Sequence, residues 1–361
     1  MNPGRRAPRP MATLAAGDRP VRPLPIRARR AHGRLPTAIA ARIALVLATL
    51  CGCTAGDRDG DGAAEAAASP EGGFPRVVAL PGGESLRLER PPQRVLAANT
   101  AVVDTLTRLV APERVAALCE QAFTWSRLAF TDAADPWRAV PMFHAFVAES
   151  VLARSPDLVL TTVHGNPETI AALRDIGIPV VRLPEPQDLA AAEAQVRLLG
   201  QLLGADGAAA RLIEDAELRI ARLAERDGPR RGRSVVWYTW YGTSGSATGS
   251  GTLADAAIRL AGMVNAAARA GRSGVGAVTA EELLAMDPDV LVVPADRGEA
   301  STGTRAILTS DAALAAIPAI RERRILELHP SHFSATSLEV VTAAEALAAA
   351  ADRLLAGDSR R

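Results

Sequence analysis

The sequence predicts an α/β protein of two lobes with parallel-rich sheets joined by a single long helix. From Phe74 onward, short β-branched or apolar runs alternate with Ala- and Leu-rich helical stretches, the pattern of parallel strands with helical crossovers. The segment Glu149-Ser-Val-Leu-Ala-Arg-Ser-Pro-Asp157-Leu-Val-Leu recurs as Glu281-Glu-Leu-Leu-Ala-Met-Asp-Pro-Asp289-Val-Leu-Val, with Glu and Pro spaced by seven in both copies. An offset from Glu149 to Glu281 is far too long for a solenoid unit, so it indicates two lobes of similar design. Between the copies, Gln187 to Asp227 contains no strand-like run and reads as helix.

In chain order, strands are expected at Arg94 to Ala98, Arg114 to Leu118, Leu158 to Thr162, Val180 to Leu183, Ser234 to Trp240, Val290 to Val293 and Ile325 to Leu328. The helical stretch carries one stripe of Leu198, Leu199, Leu202 and Leu203 and another of Leu212, Ile213, Ala216, Ile220 and Leu223. Gly204 and Asp206-Gly207 mark a break. The piece from Asp206 to Arg226 would be about 31 Å long, enough to bridge two domains, and a continuous helix there favours a stiff pair with small opening. The expected organisation is residues 1–52, 53–73, 74–187, 188–229 and 230–356: leader, tether, N-terminal lobe, helical linker and C-terminal lobe.

Composition narrows the chemistry. At 361 residues and 48% apolar, the chain can bury a substantial core. All 41 basic residues are Arg. A Walker-type phosphate loop, a pyridoxal Schiff base and a Lys general base are therefore excluded. Residues 1–52 carry ten Arg against Asp18 alone, whereas the remainder has 31 Arg against 39 acids. A body this acidic is a poor polyanion binder, so nucleic acid is not an expected partner.

The apolar run Ile43 to Leu50 follows an Arg- and Pro-rich stretch and ends in Leu50-Cys51-Gly52-Cys53. Eight residues cannot span a bilayer but suit the core of a signal peptide. Leu-x-Gly-Cys in this position resembles the lipobox of bacterial lipoproteins, which implies cleavage before Cys53 and acylation of its thiol. Thr54 to Gly73 is small and polar, the composition of a flexible leash. Within it, Asp57 to Gly62 imitates the start of a calcium loop, but Ala68 stands where the bidentate Glu belongs. Cys119 has no partner for an internal disulfide and reads as a buried thiol.

Lipobox, leash, lobe, long helix and lobe together resemble the periplasmic substrate-binding lipoproteins of ABC importers for vitamin B12, ferric siderophores and haem. The resemblance covers roughly residues 76–356. It rests on Gln93 to Thr100, Glu149 to Leu160, Gly177 to Val181, Gly249 to Asp255 with Leu260-Ala-Gly262-Met-Val-Asn265, and Glu281 to Val293. The chain departs from the family at Ala101, where Glu is common, and at Met263, where Gly is common. The resemblance implies two Rossmann-like lobes, a non-catalytic receptor on the extracytoplasmic side of the envelope, and a ligand that is a cobalt or iron chelate with no intrinsic cofactor. It also implies a permease dimer as partner, with Glu168 and Glu281 as the docking acids; Glu149 and Glu282 are the alternatives. Membrane contact would be through the N-terminal lipid only.

In parallel α/β sheets, ligands bind beyond the carboxyl ends of the strands. Trp237-Tyr238-Thr239-Trp240-Tyr241 holds four of the chain's six Trp and Tyr residues. The alternate inward residues, Trp237 or Tyr238, suit a core, whereas Trp240 and Tyr241 abut Gly242-Thr-Ser-Gly-Ser and are candidates to line the cleft. Gly242 to Gly251 reads as a mobile cleft-edge loop, with Thr252 and Asp255 forming the capping box of the next helix. His164 and His332 follow strands of opposite lobes. A pair reaching across could ligate the iron of haem or cap a corrin cobalt, and His332 falls where the resemblance to the B12 binder implies a cleft aromatic. His144 and His329 read as loop residues. Asn99 and Thr100 would cap the first helix and face the cleft. The loop with Glu120, Gln121, Phe123, Thr124 and Trp125 is also placed for contact.

Two other functions compete. A receptor for a small oxyanion could use Arg297, Ser301 and Thr302 after the strand Val290 to Val293. A lipid-anchored hydrolase is disfavoured, because no Gly-x-Ser-x-Gly elbow or Cys-His arrangement is present.

Overall fold

The computed structural model describes residues 73–358 apart from 242–243, 297–302 and 313. The expected signal peptide, Cys53 and nearly all of the tether lie outside the described residues, as do Arg297, Ser301 and Thr302. The described residues belong to one compact unit, Glu65–Arg361. None of their helices is long and apolar enough to cross a membrane.

The first lobe opens with a hairpin that the apolar pattern did not reveal, β1 (Arg76–Ala79) antiparallel to β2 (Ser85–Leu88). Its main sheet contains β3 (Val95–Ala97), β4 (Val115–Cys119), β5 (Met142–Phe143), β6 (Leu158–Thr162) and β7 (Val180–Leu183). They run in the order β5-β4-β3-β6-β7 with every pair parallel. Every residue of β3, β4 and β6 is buried. That explains their continuous apolar runs: helices cover both faces of a parallel sheet. The expected strands are all present, within two residues at each end.

The second lobe contains β8 (Ser234–Tyr241), β9 (Ser244–Thr248), β10 (Val264–Asn265), β11 (Val275–Val278), β12 (Val290–Pro294) and β13 (Ile325–Leu328). The order is β11-β9-β8-β12-β13, with β10 also beside β8. β8, β10, β12 and β13 are parallel, while β9 and β11 add an antiparallel extension. This corrects the expectation of a mobile loop over Gly242 to Gly251, because Ser244–Ala247 pairs with Tyr238–Tyr241 and Gly245–Thr248 with Val275–Val278. The small residues there make room for an aromatic ring. A Cβ on Gly245 would clash with the Tyr238 hydroxyl, and Ala247, opposite Tyr238 in register, is buried.

The internal repeat has a structural meaning. In the first lobe Asp157 accepts the backbone N–H groups of Gln93 and Arg94 at 2.7 and 2.9 Å, just before β3. In the second, Asp289 accepts from the N–H and hydroxyl of Ser234 at 2.8 and 2.9 Å, at the first residue of β8. Two residues earlier, Ser155 and Asp287 both have positive φ, 46° and 41°. The Pro-Asp pair thus turns each chain sharply and fastens it to the opening strand of its own lobe.

Between the sheets lie the helices Leu189–Leu203 and Asp206–Glu225. They break at Gly204, whose φ of +65° favours glycine. One core runs from the first sheet through these helices to the face of the second sheet that carries Val235 and Trp237. The opposite face, with Val236, Tyr238, Leu291 and Val293, has a separate core, as the two-residue period of a strand requires. A core continuous from lobe to lobe is the packing of a stiff pair.

Candidate functional site at the mouth between the lobes

The strand ends of both lobes supply the candidate residues, and their surroundings sort them. Asn99 caps the helix Thr100–Leu109, its side-chain oxygen accepting the Ala101 N–H at 2.8 Å. Its polar group is committed to the helix end. Thr100 is half-buried as that helix's first residue. Trp125 is half-buried at the end of the short helix Ala122–Trp125. In the same loop Phe123 lies under the Arg138 guanidinium, 4.4 Å from its ring centre. Cys119 is buried, and burial pushes its thiol up to about 12.

The histidines do not share one environment. His164 is exposed and pairs with Glu185 at 3.2 Å, and exposed His144 pairs with Glu120 at 3.4 Å, each within the first lobe. His332 is half-buried in the turn Pro330–Phe333 after β13. Its ring stacks on Phe130 of the first lobe, with centres 4.9 Å apart and planes at 27°. His329 joins the same group, 4.5 Å from Phe130, and its side chain caps the turn through the Ser331 N–H. Burial holds the His332 imidazole below its ordinary pKa, against the pull of Glu339. It is therefore neutral at pH 7, with a nitrogen lone pair available. The described residues hold no group of three or more His, Cys, Asp or Glu arranged for a metal ion.

Phe130 escaped the sequence analysis. It ends the turn Arg127–Phe130 and is 55% exposed despite its size. The missing signal is tertiary, because nothing local distinguishes it from a core phenylalanine.

The aromatic run divides by strand alternation. Trp237 and Tyr238 are both buried, and Trp237 stacks on Phe333 at 5.0 Å, directly behind His332. Trp240 is half-buried on the Tyr238 face, and its backbone N–H donates to the Thr304 hydroxyl at 3.2 Å. With Tyr238, Asp311 and Leu314 it lines a cavity of about 340 Å³. The side chain of Tyr241 lies outside the described residues.

Glu168 and Glu281 are exposed in the first turns of the helices Pro167–Asp175 and Ala280–Met286. Hydrogen bonds from its own N–H and from Thr279 hold the Glu281 carboxyl below its usual range. Glu282 is committed elsewhere: it closes the capping box with Thr279 and pairs with Arg272 at 3.2 Å. At the helix Leu253–Leu260 only half of the expected box forms. Thr252 caps Asp255 N–H, while the Asp255 carboxylate accepts from Asn265 and pairs with Arg259.

Below the mouth, a polar network crosses between the lobes. Asp104 accepts the Arg127 backbone N–H at 2.7 Å and the Ser337 hydroxyl at 3.1 Å. Arg108 donates to Glu339 at 2.9 Å. Burial pushes the Asp104 carboxyl up to about 7, although the Arg127 N–H opposes it.

A profile of the family described as periplasmic binding protein matches residues 138–332. No curated protein matches the chain. Among solved structures, the periplasmic haem-binding protein RhuT from Roseiflexus sp. RS-1, in apo form, is 27% identical with a TM-score of 0.63, covering 73% of this chain and 99% of that one. The haem-binding protein BhuT in complex with two haems is 26% identical with a TM-score of 0.61, covering 73% and 98%. An Fe3+-hydroxamate transport protein from Saccharomonospora viridis DSM 43017, at 24% identity, TM-score 0.62 and coverage of 76% and 98%, has the same fold.

Proposed function

The chain belongs to the periplasmic binding protein family, the substrate-binding components of ABC importers, and on that premise we propose that it captures haem or a similarly flat metal chelate at the mouth between its lobes. The observation that carries this is the stack of Phe130 on His332, contributed by opposite lobes. The two rings touch in this structure, so a planar macrocycle would enter by parting the stack and taking the place of the ring–ring contact, covering apolar ring faces at low entropic cost. The neutral His332 imidazole offers a ligand for its metal. Haem is favoured over the other chelates because RhuT and BhuT, at 27% and 26% identity, are haem-binding proteins. His164, exposed just past β6, is a further candidate for contact with a bulky ligand, whereas Trp240 lines the separate second-lobe cavity beside Tyr238.

The test is haemin affinity in single variants. His332→Ala and Phe130→Leu should each weaken binding by about 1 to 3 kcal/mol, or roughly 5- to 150-fold, with little loss of stability in the apo protein. Unchanged affinity in both would remove the mouth from the binding site.

Delivery requires a permease. Glu168 and Glu281 project from helix starts in separate lobes, and we assign them to docking on the two permease subunits. The double variant Glu168→Ala, Glu281→Ala should keep its ligand affinity while uptake falls at physiological salt and more steeply at lower ionic strength, because exposed interface charges act on association rate and are screened by salt. Uptake equal to wild type would refute the assignment.

A further inference from the structure

Asp104 lies in the helix Thr100–Leu109 and is 3% exposed. Its two oxygens serve different arms of the molecule. Oδ1 accepts the N–H of Arg127, the first residue of the turn that ends in Phe130. Oδ2 accepts the hydroxyl of Ser337, which follows His332 in the second lobe and whose Oγ in turn accepts the Glu339 N–H at 3.2 Å. Charge doubles the crossing, since Glu339 lies 2.9 Å from Arg108 and 3.7 Å from Arg127 of the first lobe. The arms so joined are those that present Phe130 and His332 to each other. Filling this site with an apolar side chain would avoid the cost of desolvating a carboxylate. What the carboxylate adds is direction: two bonds at fixed angles to two lobes.

We propose that Asp104 is a positioning residue for ligand capture, setting the register of the lobes at the mouth by holding the Phe130 arm and the His332 arm through separate oxygens. The inference rests on the reading that the chelate binds at this mouth.

The apo protein provides a readout independent of any ligand. The Phe130 ring displaces the imidazole proton resonances of His332, and Phe130→Leu measures that displacement by abolishing it. In Asp104→Ala the His332 resonances should move most of the way to their Phe130→Leu positions, with those of His144 and His164 unmoved. Haemin affinity should fall about 2- to 30-fold, the range of couplings that act through packed networks. Asp104→Asn, which keeps an acceptor for the Arg127 N–H, should retain most of both. A role in stability alone would lower the melting temperature and leave the His332 resonances in place, and that result would overturn the proposal. Should Asp104→Ala fail to fold, Ser337→Ala removes the bond from Asp104 to the second lobe, together with the acceptor of the Glu339 N–H, and leaves the Arg127 bond in place; unmoved His332 resonances there would be equally fatal. If wild-type protein fails to bind haemin, the functional reading falls, while the resonances still decide the role of Asp104.

Discussion

Asp104→Asn should be more stable than the wild type at pH 8, by about 2 to 4 kcal/mol, with the difference shrinking toward zero near pH 4. Burial raises the folded-state pKa of Asp104 from 3.8 to about 7. The folded protein therefore holds a proton that the unfolded chain has released across this window. Stability from this group is fully present below the unfolded value and is lost as pH rises through the folded one. At about 1.4 kcal/mol for each tenfold difference in proton affinity between the two states, the rise from 3.8 to about 7 sets an upper limit of about 4 kcal/mol. The charges that face Asp104 are Arg127 and Glu339, with Arg108 paired to Glu339 and the buried Cys119 thiol nearby. Asn keeps the size and an acceptor but carries no charge to desolvate. Urea unfolding of both proteins at pH 4, 6 and 8 gives the comparison; parallel stability curves would mean that Asp104 has the same proton affinity in the folded and unfolded states, and would contradict it.

Arg230→Met should cost about 3 to 5 kcal/mol, the range for removing one partner of a buried ion pair. The Arg230 side chain has no exposure and meets Asp352 of the C-terminal helix at 2.7 Å. Its Nε donates to the Ala261 carbonyl and its Nη2 to the Arg226 carbonyl, both at 2.8 Å. One guanidinium thereby ties the chain just after the linker to two helices of the second lobe. Substitution strands two carbonyls and a carboxylate whose Oδ1 already lacks a hydrogen-bond partner. The double variant Arg230→Met, Asp352→Leu should recover most of the loss, since an apolar pair of similar volume avoids desolvation altogether. Urea unfolding of the three proteins decides this, and a single variant within about 1 kcal/mol of wild type would contradict it.

The seven strands read from apolar runs are all present because each is mostly buried, with Arg182 of β7 and Glu327 of β13 the exposed exceptions, and leaves an apolar signal in the sequence. What escaped was made of other material. β9 is Ser-Gly-Ser-Ala-Thr, a strand specified by the Tyr238 ring that it covers and not by its own propensity. β1, β2 and β11 alternate partly exposed residues at sheet edges, where the pattern is weak. The Pro-Asp repeat was visible as duplication, but its work as a clamp on each opening strand needed coordinates.

The site divides in the same way. His332 was singled out from its place after a strand, and the structure gives it an aromatic partner from the other lobe. That partner, Phe130, lies more than 200 residues before His332, and the carboxylate beneath it, Asp104, more than 200 before Ser337. Periodicity cannot report such a pairing. Asn99, expected to face the ligand, is occupied by its helix cap, a role that its position before Thr100 also announced.

The central claim is that the mouth between the lobes captures a flat metal chelate. It is tested most directly by titrating the apo protein with haemin and following the Soret band, with cyanocobalamin and a ferric hydroxamate in parallel. Saturable haemin binding, with a Soret shift that His332→Ala alters and weaker or absent binding of the other two, is the predicted result. Saturable binding of the hydroxamate or of cobalamin with no haemin response, or no response to any of the three, would contradict it.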